Sequence, residues 1–196
     1  SNTDRRRGFL GQVSFLALQA HAVSTSVTLR GMFVRQNLLC QNIPDPPADV
    51  DTSIPEVSAE AATMRERVAI HLEDPNCAVC HEITDPIGLG LENFDGIGRW
   101  RTSENGQTID AGGELDQTSF DDAWELGEAI ASHHRLGPCL TNTLLGYATG
   151  QSVADGLETI GDWHARGFDE SEYRIRWLMR DIALGVAFRR AGEVER

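Results

Sequence analysis

The sequence predicts a mainly α fold with a small β-hairpin and a Pro-rich connector, and three observations carry the prediction. Apolar residues recur at three- and four-residue spacing in most stretches of the 196-residue chain. Strand-like character is confined to the segment from Gly106 to Leu115, which reads as a small hairpin with Asn105-Gly106 and Gly112-Gly113 as turns. The third observation is Asn76-Cys77-Ala78-Val79-Cys80-His81, which contains C-x-x-C-H, the attachment motif for c-type haem. Together they predict a cytochrome c-like helical haem domain.

Taken in order, Thr3 or Asp4 can cap a first helix running to about Ala20, with Leu10, Val13, Ala17 and Ala20 on one face. His21 follows it as a solvent-facing residue or local cap. Ser24-Thr25-Ser26 then supplies the cap of a second helix from Val27 to Leu39, which holds Met32, Phe33, Val34 and Leu38. From Gln41 to Pro55 the prolines Pro44, Pro46 and Pro47 exclude helix and central strand, so this stretch reads as an extended connector. Ser58 caps a third helix to about Leu72, with Ala61, Met64, Val68, His71 and Leu72 inward. The Asp74-Pro75-Asn76 loop caps a short helix with the C-x-x-C-H motif, and a glycine-rich loop follows from Thr84 to Arg101.

Beyond the hairpin, Asp121 caps a helix with Trp124, Leu126, Ala129 and Ile130. Gly137-Pro138 opens another, which Gly150 closes, with Leu140, Leu144 and Tyr147, or Leu145 and Ala148, as its apolar face. A short helix spans about 153–166, and Asp169-Glu170-Ser171-Glu172 begins a last helix to about Arg189. Its inward stripe is Leu178, Ile182, Gly185 and Phe188, and Trp163 and Trp177 are expected in the core or against the haem. These elements group into an N-terminal helical pair with its connector (1–55), a haem-binding segment (56–118) and a C-terminal helical segment packing on the haem region (119–196).

The chemistry of the motif follows from its spacing. Two cysteines three apart on a helical turn project to one side, so both sulfurs can bond the vinyl groups along one haem edge, and the adjacent His81 meets the iron as proximal ligand. A zinc site would need a second Cys/His pair at short spacing, and Cys40 and Cys139 each stand alone. A thioredoxin-like dithiol would need a strand feeding the motif rather than Asp74-Pro75-Asn76. For the distal iron position His71 is the first candidate and Met64 the next, because seven residues make nearly two helical turns and place both on one side. Met32 and Met179 follow, and His164 is remote; His133 and His134, near a helix end, read as electrostatic caps.

In the glycine-rich loop, the close-packed backbone suggests a flat neighbour such as a haem face, and a loop carbonyl is the expected acceptor for the His81 N–H. Arg99, Trp100 and Arg101 suit the haem propionates, since guanidinium forks and an indole N–H all donate; the alternative is ordinary ion pairing with Glu92, Asp95 or Asp110.

Seventeen basic against thirty acidic residues give a formal charge of −13. That argues against nucleic acid or an anionic membrane as partner and favours a basic protein partner, or simply serves solubility. No apolar run reaches the length of a membrane span. Because haem is attached outside the bacterial cytoplasm, the chain is expected to be periplasmic or otherwise exported. In such a compartment Cys40 and Cys139 are expected to pair, closing a loop that stabilises by about 4–5 kcal/mol in the chain-entropy model. Two unrelated buried thiols are the alternative.

A family resemblance rests on Arg30-Gly31, the Pro-rich connector, Met64-Arg65-Glu66-Arg67, His71, the C-x-x-C-H motif, Asp85-Pro86-Ile87-Gly88, Leu91-Glu92-Asn93-Phe94-Asp95 and Gly98-Arg99-Trp100-Arg101. It continues through Ile109-Asp110 with Gly113, and Cys139 with Tyr147-Ala148-Thr149-Gly150. This pattern resembles the C-terminal modules of large planctomycete-type cytochrome c proteins, themselves domains of unknown function. The resemblance implies one covalent haem c and a place in the C-terminal part of an exported multidomain protein. It brings no settled substrate, and Thr84 departs from the aliphatic residue or Met of many members.

Three functions fit these observations. The first is electron transfer to or from a redox partner or another domain of a parent chain. The second is a peroxidase-like haem enzyme with an open distal site, using His71 or Glu66 as acid/base. The third is an interaction module stabilised by haem.

Overall fold

A computed structural model describes residues 6–44, 56–73, 75–154 and 156–189. The connector prolines Pro46, Pro47 and Pro55 and the expected caps Thr3 and Asp4 lie outside the described residues. Among the described residues the fold is mainly helical with two small antiparallel hairpins, and these residues form two compact units, 6–37 with 41–132, and 38–40 with 133–189.

In the first unit, α1 (Val13–Leu18) is shorter than the sequence suggested; it buries Phe15 and Leu16 and leaves Val13 exposed. Phe9, Phe15 and Phe33 pack ring to ring, 5.0–5.7 Å between centroids. The second helix, α2 (Val27–Phe33), is capped by Ser26, whose hydroxyl accepts from the Leu29 N–H, and it continues as a π-helical turn, Val34–Leu38. The third, α3 (Met64–Ala69), starts six residues after the expected Ser58. Thr63 and Glu66 form a reciprocal capping box there, while Ser58 closes a local turn onto Glu60 and Ala61. A 3-10 turn, Ile70–Glu73, follows.

The largest departure from the sequence reading is α4, which runs from Pro75 to Leu89 through the segment expected as a loop. Pro86 removes one helical N–H, and the exposed Glu82 is the residue whose carbonyl loses it. Tertiary packing outweighs these breakers. A Cβ on Gly31 would collide with the Thr84 carbonyl, and one on Gly88 with the Val27 carbonyl. The glycines therefore let α2 and α4 meet backbone to backbone, antiparallel, rather than against a haem face. Val27, Met64, Val68 and Leu89 form a buried cluster beside this contact.

The chain beyond α4 is organised by Arg30, which is fully buried. Its guanidinium donates to the carbonyls of Leu91, Phe94 and Asp95 and to the Glu92 carboxylate, at 3.0–3.1 Å. Glu92 also accepts from Thr25 (2.8 Å) and Arg101 (2.7 Å). Burial lowers the Arg30 pKa, with Glu92 opposing, and burial likewise pushes the Glu92 carboxyl up, with Arg30 and Arg101 opposing.

Two hairpins replace the single one expected. In the first, β1 (Ser103–Glu104) pairs with β2 (Gln107–Thr108) across Asn105-Gly106, both at positive φ (48° and 85°). In the second, β3 (Gly113–Leu115) pairs with β4 (Thr118–Phe120), so Gly113 lies in a strand rather than a turn. Helix α5 (Ala123–Ala131) buries Leu126, Ala129 and Ile130; its cap is Asp122, one residue after the expected Asp121.

The second unit holds α6 (Leu136–Thr149), α7 (Glu158–Glu170), α8 (Ile175–Leu184) and the short α9 (Val186–Arg189). Gly150 closes α6 at φ 69° as expected. Cys40 and Cys139 are disulfide-bonded, Cα to Cα 5.4 Å, which ties residues 38–40 to α6. The core is Leu145, Phe168, Leu178 and Ile182, with Leu140, Leu144 and Ala148 against it. Tyr147 is 89% exposed, so the Leu145/Ala148 face is the inward one.

Trp163 and Trp177, expected as core or haem wall, are 55% and 38% exposed. The inward side of α7 is Gly161, His164 and Phe168, which turns Trp163 outward. Asp169 and Glu170 end α7 rather than opening α8, and Gly185 closes α8, so the last helix breaks there and Phe188 is exposed. His164 is buried, with Nδ1 2.6 Å from Asp181 Oδ2.

Candidate functional site

The C-x-x-C-H motif occupies the first two turns of α4, where the helix has not yet reached its closest contact with α2. Cys77 and Cys80 are unbonded thiols, each partly exposed, and His81 follows on the same side of the helix by its 100° step per residue. Nearby, Ile70 and Leu72 on the 3-10 turn and Val79 and Ile83 on α4 leave apolar side chains exposed. By the same 100° step Val79 and Ile83 lie on the side of α4 away from Cys77 and His81, and isolated apolar exposure of this kind is ordinary.

His81 is held by a residue that the sequence analysis did not single out for it. Its Nδ1 lies 2.7 Å from Asp85 Oδ2, one helical turn along α4. Asp85 is itself buried. Its Oδ1 accepts from the Thr28 hydroxyl at 2.8 Å and from the Thr84 hydroxyl at 3.3 Å. The partner of His81 Nδ1 is therefore a carboxylate within the helix, not the loop carbonyl expected. The hydrogen bond to Asp85 raises the His81 pKa above its ordinary value, against partial burial that lowers it.

The donor set fits a haem. The macrocycle brings four nitrogens of its own, so the protein need supply two thiol anchors one turn apart and an axial imidazole, and Cys77, Cys80 and His81 are those groups. Among the described residues, no group of three or more His, Cys, Asp or Glu is arranged to hold a bare metal ion.

The remaining candidates are placed as follows. Met64 is buried in the cluster with Val27, Val68 and Leu89, and borders a small cleft of about 160 Å³ with Glu92 and Glu104. His71 falls in the 3-10 turn, and its side chain lies outside the described residues. Met32 is partly buried in α2; Met179, on α8 in the second unit, is exposed. Arg101 is engaged by Glu92 at 2.7 Å and Glu104 at 3.5 Å, the ion-pair alternative the sequence left open. The Arg99 side chain is exposed. Trp100 packs edge-on to Phe94 at 5.2 Å and lines a cavity of about 330 Å³ with Arg7, Phe94 and Trp124.

Asp85 had a signal in the sequence, the His–Asp spacing of four, which becomes legible only once the helix is known to continue through Pro86. The Arg30–Glu92 pair joins residues 62 positions apart and had none, whereas the Glu92–Arg101 pair, nine apart, was the ion-pair alternative already open in the sequence.

Among known proteins, the model of the PSCyt3 family, described as a protein of unknown function (DUF1588), matches residues 6–104, about half of the chain, including the whole of α4. No curated protein and no solved structure matches the chain.

Proposed function

The chain belongs to the PSCyt3 family, a domain of unknown function found in planctomycete cytochrome c-type proteins, and from that premise we propose that it is a c-type cytochrome domain that passes electrons to or from a redox partner. The observation that carries the proposal is the pair of free thiols on one helical turn beside an imidazole already oriented by a carboxylate. When bound, the haem supplies the one-electron couple.

The chain's own residues do the rest. Cys77 and Cys80 would hold the macrocycle as thioethers, and His81 would be the imidazole ligand. Asp85 fixes the imidazole so that the ligand does not rotate between redox states. His71, then Met64, would be the candidates for a second ligand. The formal charge of −13 orients encounter with a basic partner, and such steering weakens as salt rises. The Cys40–Cys139 disulfide accords with an oxidising, exported setting, and among the described residues no helix is long and apolar enough to cross a membrane.

Matured through an export pathway, the protein is expected to show a low-spin c-type optical spectrum in both redox states, with little binding of carbon monoxide to the reduced iron or cyanide to the oxidised iron. Avid binding of either ligand moves the assignment to a haem enzyme with an open distal site.

A further inference from the structure

We propose that Asp85 is a positioning residue for the proximal ligand whose negative charge, delivered through His81 Nδ1, biases the bound iron toward its oxidised state. The inference rests on the reading of Cys77, Cys80 and His81 as a haem site and names what sets the potential of that site.

The geometry is specific. Asp85 Oδ2 takes the imidazole at 2.7 Å, and Oδ1 takes Thr28 Oγ1 at 2.8 Å, so both carboxylate oxygens are held, one by α4 itself and one by α2. The Asp85 side chain is 5% exposed and that of His81 18%. A carboxylate at this distance, shielded from water, acts on the ring far more strongly than the neutral carbonyl a loop would provide. The hydrogen bond to an anion raises the basicity of the ligating Nε2. Ferric iron carries one positive charge more than ferrous, so an anion acting through its axial ligand stabilises the ferric form.

The hold on Asp85 belongs to the fold rather than to a mobile loop. Thr28 reaches it because Gly31 and Gly88 bring the two helix backbones together, and the register that opposes Gly31 to Thr84 sets Thr28 against Asp85.

Asp85→Asn separates charge from shape, because the amide oxygen still accepts from the imidazole N–H while the charge is gone. In the covalently loaded protein we expect the ferric-to-ferrous equilibrium to shift at least tenfold toward the reduced form, a rise in midpoint potential of at least 59 mV for one electron. The low-spin spectrum and the haem-peptide mass should be unchanged. Thr28→Val is the second variant. Withdrawing the hydroxyl concentrates charge on the carboxylate, so the midpoint should move the opposite way, by two- to threefold in the equilibrium.

A residue that merely propped the helices apart would shift both variants in one direction. An Asp85→Asn midpoint within threefold of the parent, or lower than it, overturns the assignment; where that variant does not fold, a rise in Thr28→Val overturns it. A parent protein without a haem adduct on Cys77 and Cys80 refutes the underlying site instead, so the two failures are distinguishable.

Discussion

Replacing Gly88 with alanine sets two effects of opposite sign against each other. In an exposed helix interior the change would stabilise by about 1 kcal/mol through helix propensity. At Gly88, however, the new methyl collides with the Val27 carbonyl, a backbone group on a packed helix that cannot swing aside. Relief requires α2 and α4 to separate, which opens the neighbouring Val27, Met64, Val68 and Leu89 cluster. Overpacking of this kind costs about 1–3 kcal/mol, and a backbone obstacle puts it at the upper end. The net expectation is a loss of about 2 kcal/mol, read by urea unfolding followed by far-UV circular dichroism. Gly127, inside α5, is the matched control: nothing lies within 4 Å of its added Cβ, so Gly127→Ala should stabilise by about 1 kcal/mol. A Gly88→Ala protein as stable as the parent would refute the backbone-contact account of how α4 is held.

Other expectations follow from the same structure. Replacing both Cys40 and Cys139 with serine should destabilise the second unit by about 4 kcal/mol, measured by thermal unfolding against the oxidised parent. Leu145→Ala, at the centre of that unit's core, should cost about 2–5 kcal/mol by chemical denaturation. The Glu66 carboxyl is held below its ordinary value of 4.5 by its capping bonds to Thr63 and Ala62. Its contribution is therefore present above pH 4.5 and lost as pH falls through the lower folded value; Glu66→Gln should remove that acid-side dependence, followed by helical circular dichroism. In the unloaded protein, His81 is raised above 6.5 by the hydrogen bond to Asp85. That stabilisation is complete below 6.5 and lost as pH rises through the raised folded value, and Asp85→Asn should return the nuclear magnetic resonance titration of His81 toward 6.5.

What could be read in advance divides along the range of the interactions. Local chemistry was legible. Ser26 capping α2, Gly150 closing α6 and Asn105-Gly106 turning the first hairpin each follow from side chains acting on their own backbone within a few residues. The C-x-x-C-H motif fell on one helical turn for the same reason, and the Cys40–Cys139 bond followed from counting cysteines.

Non-local packing was not legible. Pro86, Gly88 and Gly90 look like helix breakers in the sequence, yet α4 runs through Gly88 because a facing glycine at position 31 admits close approach. Missing that continuation hid Asp85 as the partner of His81. Trp163 is not the core residue expected, because the periodicity of Gly161, His164 and Phe168 decides which side of α7 is buried.

The most direct measurement is peptide mass analysis of the protein matured through an export pathway, taken under non-reducing conditions. The account expects the peptide spanning Cys77 and Cys80 to carry one haem through both sulfurs. Recovery of that peptide as two free thiols, or as a Cys77–Cys80 disulfide without haem, would contradict it.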